Sequence, residues 1–112
     1  MIITSILILA VSAALGLLIL INWLKKQNAP KSIVYSHGII AVAGVVTLLI
    51  YAIQNPNRFP MISIILFTIA AIAGLYMFIM DIQKNSKPLG LAVIHAMVAI
   101  AGFLMLLMFA FS

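Results

Sequence analysis

Apolar and polar positions along the chain separate into blocks. Four long apolar runs, roughly Ile2–Leu24, Ile33–Ile53, Pro60–Ile82 and Leu89–Phe111, are divided by three short polar breaks. Each run has about 21–23 residues, which as a helix spans ~32–35 Å, enough for a hydrocarbon core of about 30 Å with slight tilt. None of the runs alternates with period two, which excludes a closed β-barrel. The breaks at 25–32, 54–60 and 83–88 each contain a proline, which stops a helix or opens one. Connections this short make consecutive helices antiparallel neighbours. The pattern therefore predicts an all-α fold: one integral membrane domain over 1–112, an up-down four-helix bundle.

Composition narrows the picture further. Of 112 residues, 67% are hydrophobic, and the charged ones are six Lys or Arg and a single Asp. A water-soluble domain carries about 25% charged residues; this chain carries 6%. A soluble globular domain, a disordered chain and a soluble nucleic-acid binder are excluded, and the partner implied first is the lipid bilayer. The absence of Cys rules out disulfides, thiolate metal sites and covalent haem attachment through Cys-x-x-Cys-His. The first apolar run lacks a basic n-region and exceeds an ordinary h-region, so no cleavable signal peptide is expected.

Charge also sets an expected orientation. Lys25, Lys26 and Lys31 lie in the first break, and Lys84 and Lys87 in the third. The second holds only Arg58, and the tails hold no Lys or Arg. The positive-inside rule places loops 25–32 and 83–88 in the cytoplasm and both termini outside. The expected setting is a bacterial inner membrane. Trp23 and Tyr35 would anchor the inner interface and Tyr51 the outer one.

Sliding the sequence by 58 residues pairs 1–54 with 59–112 without a gap, giving 15 identities in 54 pairs. Ser5/Ser63, Gly16/Gly74, Lys26/Lys84, Pro30/Pro88 and His37/His95 are among them. The densest stretch sets His37-Gly-Ile-Ile-Ala-Val-Ala-Gly44 against His95-Ala-Met-Val-Ala-Ile-Ala-Gly102. The reading is a duplicated two-helix hairpin, with copies of the same polarity related by an axis along the membrane normal. Ser12-xxx-Gly16 pairs with Ala70-xxx-Gly74, a small-xxx-small spacing that lets helices approach closely in lipid.

His37 and His95 are the only histidines. Each is expected about five residues, ~7 Å, inside its helix and on diagonal helices two and four. At i+4 and i+7 follow Ala41 and Gly44 in one copy, Ala99 and Gly102 in the other, on the same helix face as the histidine. Such strips allow either very close helices or a slot for a flat ligand. A b-type haem fits the second use. Its iron takes two imidazoles at about 2 Å, Ala41, Gly44, Ala99 and Gly102 would make room for the ring, and Lys26, Lys31, Lys84 and Lys87 lie where propionates need cations. Another His-ligated metal, quinone or proton handling through the histidines, and plain packing are the competing uses.

Remaining candidates read as structural. Asp81 is expected to pair with Lys84 at i+3 near the interface. Tyr76 reads as core, Asn22 as interfacial, and Met97, Met105 and Met108 as gap-filling apolar residues. No hydrolytic centre is visible.

Size and span number are similar to the small multidrug resistance transporters, but that family relies on a Glu in its first helix and Ile2–Leu24 has no acid. The placement of His37 and His95 resembles that in four-helix membrane b-type cytochromes, including the cytochrome b561 class. The resemblance implies axial histidines on diagonal helices, and with two histidines it implies a single haem. The expected function is then electron transfer between a quinol and a partner. The alternatives are a non-catalytic subunit or scaffold packing on another membrane protein or on itself as a homo-oligomer, and thirdly a small transporter.

Overall fold

The computed structural model describes every residue, Met1–Ser112, as four helices: α1 (Ile2–Leu24), α2 (Lys31–Gln54), α3 (Met61–Lys84) and α4 (Leu89–Ala110). All four are long and apolar enough to cross a membrane. The prolines act as start signals: Pro30, Pro60 and Pro88 each stand immediately before a helix, where the fixed φ suits helix entry and a missing N–H costs nothing. Two helices outrun their apolar segments. α2 begins at Lys31 and α3 continues through Gln83 and Lys84. Backbone hydrogen bonding does not depend on side-chain polarity, so a helix extends into water until geometry ends it. Lys26 (φ 57°), just past α1, and Asn85 (φ 49°), at the end of α3, take the left-handed conformation that closes a helix.

The chain runs up-down-up-down. α1 packs on α2 and α3 on α4 as two hairpins, while α1 against α4 and α2 against α3 close the square. The diagonal pairs have no close backbone approach. The bundle measures 44 × 22 × 20 Å. Loops 25–30 and 85–88 share one end, called the basic end below. Both termini and loop 55–60 share the other.

The interior is small. Ile6, Leu9, Leu48, Phe67 and Leu106 form the main cluster, and Trp23, Met77 and Ala92 a second one near the basic end. Most other large apolar side chains face outward, Ile39, Ile53 and Ile72 among the most exposed. Such a surface fails in water and suits lipid, where helices associate through packing contacts and hydrogen bonds. Positions 58 apart occupy matching environments. Leu48 and Leu106 are both 0% exposed, Ser5 and Ser63 are 0% and 1%, and Leu9 and Phe67 are both buried. Trp23, expected at the interface, is instead buried with its indole N–H unpartnered. Its ring fills space beside Met77 and Ala92.

At the terminal end, Arg58 reaches the C-terminus. Its guanidinium donates to Ser112 Oγ at 3.0 Å and lies 4.5 Å above the Phe109 ring. Phe109 also meets Tyr51 edge-on, with ring centres 6.1 Å apart.

Candidate functional site

His37 and His95 meet across the bundle. Their ring centres are 6.4 Å apart and the planes are nearly perpendicular, at 84°. They come from the diagonal helices α2 and α4, so the contact bridges the centre. Tyr51 and Phe109, also 58 apart in sequence, meet the same way near the other end. Two such meetings, ~21 Å apart along the helices, mark the line about which the two hairpins are arranged.

Each ring rests on a glycine of its own hairpin. A Cβ on Gly16 would stand 2.8 Å from His37 Cε1, and one on Gly74 3.2 Å from His95 Cε1. Two turns further into the bundle the roles reverse. Gly44 of α2 receives Leu9 of α1, whose Cδ2 would be 2.6 Å from an added Cβ. Gly102 of α4 receives Leu66 and Phe67 of α3 at 3.3 Å. In both hairpins a bulky side chain thus fits against a glycine at two levels. Of the two uses that the Ala and Gly strips allow, Gly44 and Gly102 display close helix contact. Ala41 and Ala99, one turn from the histidines, are half-buried.

The two imidazoles differ in their hydrogen bonds. His37 Nδ1 lies 2.7 Å from the Ser12 carbonyl oxygen. A carbonyl only accepts, so Nδ1 is the donor, and in a neutral ring Nε2 is the nitrogen with the free lone pair. Ser12 Oγ donates back to the His37 carbonyl at 3.3 Å and stands 3.2 Å from Nδ1. His95 has Ala70 where His37 has Ser12. Its Nδ1 is buried and has no hydrogen-bond partner.

Ser12 is the residue that sequence reasoning did not assign to the histidines; it read only as half of a packing motif. The available signal was register. In an antiparallel hairpin with a short loop, the Gly16 level of α1 faces the His37 level of α2, and Ser12 is one turn from Gly16 on the same face.

The other candidates settle at the periphery. Asp81 pairs with Lys87 at 3.8 Å rather than with Lys84. Lys87 sits on the loop folding back over the α3 end, whereas Lys84 points to solvent. Tyr76 is 53% exposed on the outer face of α3 and does not enter the core. Asn22 bonds its own helix, at the Leu18 carbonyl, 2.8 Å away. Met105 and Met108 are joined by Met61 around an open cavity of about 390 Å³ at the terminal end.

No site combines three or more His, Cys, Asp or Glu side chains. A metal between the histidines would therefore draw two ligands from the chain and the rest from a bound group. A haem iron is such a case, since its macrocycle supplies four nitrogens. Comparison with known protein families, with curated proteins and with solved structures returned no match.

Proposed function

We propose that the chain is a small electron-transfer protein of the membrane, in which His37 and His95 are the axial ligands of one b-type haem. The observation that carries the reading is the meeting of the two rings. An iron bound to two imidazole nitrogens at about 2 Å each sets the ring centres roughly 6 Å apart, and the pair stands at 6.4 Å. The Ser12 carbonyl holds the His37 ring by Nδ1, so that Nε2 of the neutral ring would be the ligating nitrogen. A bound haem supplies a reversible one-electron couple.

The remaining roles belong to the chain. Gly16 and Gly74 back the two rings and fix their distance from α1 and α3. Ala41 and Ala99 keep the next turn narrow on the helices that carry the ligands. Leu48 and Leu106, fully buried, close the bundle on the side of the termini and keep water from the centre. Lys26, Lys31 and Lys84 gather positive charge at the end nearer the histidines, where anionic substituents of a cofactor would emerge. The sequence match at 58 residues supports a duplicated hairpin, and duplication is a direct route to a matched ligand pair. With the lysine-rich loops in the cytoplasm, a membrane quinol is the natural donor class.

Expression with a haem precursor, purification in detergent and absorption spectroscopy test the reading. A Soret band with sharp reduced α and β bands is expected, and it should be lost in both His37→Ala and His95→Ala. A colourless protein, or a band indifferent to both substitutions, overturns it.

A further inference from the structure

We infer that a cleft between α2 and α3 at the basic end holds the headgroup of a phospholipid bearing a primary ammonium, of the phosphatidylethanolamine kind. The cleft encloses about 390 Å³. Asn28, Lys31, Asp81 and Asn85 form its polar lining, and Tyr35 and Phe78 its aromatic wall, with ring centres 5.5 Å apart.

Asp81 is the only acid in the chain, and its side chain is just 21% exposed. A carboxylate partly withdrawn from water needs hydrogen-bond donors. This one receives none. Its sole partner is the Lys87 ammonium at 3.8 Å, and that ammonium donates instead to Asn85 Oδ1 at 3.1 Å. Across the same cavity Lys31 forms no ion pair. One space thus presents a carboxylate without a hydrogen-bond donor from the chain, an exposed ammonium and two amides. Its complement is a zwitterion, with an N–H-bearing ammonium for Asp81 and a phosphate for Lys31 and Asn28.

The bilayer is the matching source. The cavity lies at the level where the helices leave the hydrocarbon, between two lysine-bearing loops. Its aromatic wall continues onto the outer surface through Tyr35, 48% exposed. α2 and α3 are also the least closely packed neighbouring helices, leaving a seam for acyl chains. A choline headgroup cannot donate to Asp81, and a glycerol headgroup carries no cation.

Native mass spectrometry of the detergent-purified protein, titrated with phosphatidylethanolamine, phosphatidylcholine or phosphatidylglycerol, tests this. The ethanolamine lipid should bind about tenfold tighter than the other two, a difference of about 1.4 kcal/mol. Asp81→Asn should remove the preference, whereas Lys84→Gln, a charge change of equal size and opposite sign outside the cleft, should leave it intact. Soluble phosphoethanolamine at millimolar concentration should not displace the lipid. Equal binding of the three lipids to the unmodified protein overturns the inference whatever the variants do. So does a preference that survives Asp81→Asn, a loss of preference in Lys84→Gln, or displacement by soluble phosphoethanolamine.

Discussion

Gly16→Ala is the most informative single substitution in the bundle. Its new methyl would stand 2.8 Å from His37 Cε1 and 3.2 Å from Nδ1, closer than carbon atoms approach without displacement. A flexible neighbour would swing aside. The His37 ring is pinned, because Nδ1 holds the Ser12 carbonyl at 2.7 Å. Either that bond breaks, at about 0.6 kcal/mol for a hydrogen bond between membrane helices, or α1 and α2 separate. Overpacking of this kind costs typically 1–3 kcal/mol. Replacing a helical glycine by alanine returns roughly 0.5–1 kcal/mol. The net expectation is a loss of up to about 2.5 kcal/mol.

Two companions make the test sharp. Gly74→Ala places its methyl 3.2 Å from a His95 ring that no hydrogen bond restrains, so the ring yields by a few tenths of an ångström and the loss should stay below about 1 kcal/mol. Gly38→Ala meets nothing within 4 Å and should be neutral or gain up to roughly 1 kcal/mol. Reversible unfolding in mixed micelles, followed by circular dichroism, ranks the three. Gly16→Ala at or above unmodified stability, or Gly74→Ala below Gly16→Ala, would refute the reasoning.

Two further outcomes follow from the same geometry. Ala70→Ser should place a hydroxyl beside His95 as Ser12 does beside His37, stabilise the bundle by about 0.6 kcal/mol, and shift the His95 ring-nitrogen resonances toward those of His37; unchanged resonances would show that the hydroxyl does not reach. Leu48→Ala and Leu106→Ala should each cost about 2–5 kcal/mol and agree within roughly 1 kcal/mol, since both side chains are 0% exposed at matching positions; urea or detergent titrations that separate them widely would argue against equivalent surroundings.

The fold was legible because lipid imposes few alternatives. Four uninterrupted apolar runs with short proline-bearing breaks permit little except an up-down bundle, and the observed helix ends lie within two residues of the apolar boundaries. The diagonal placement of the histidines was legible for the same reason. Their partners were not. Whether Gly44 lines a slot or receives Leu9 depends on a rotation of α1 that an apolar sequence hardly specifies, since every face of the helix suits lipid. Trp23 and Tyr76 show the same ambiguity in opposite senses. One was expected to anchor the membrane interface and is buried in the bundle, the other was expected in the core and is exposed, because amphipathic aromatics are at home in either place. Asp81 chose Lys87 over Lys84 because a loop folding back can bring a more distant residue nearer than helical spacing does.

The exchange of Ser12 for Ala70 has a consequence for how such a bundle can be made. Two identical hairpins associating as separate molecules would have to be alike at that place, hydroxyl on both or on neither. Joined in one polypeptide, they are free to differ. The central pair of rings therefore has a built-in direction, one ring beside a hydroxyl and its opposite number beside a methyl.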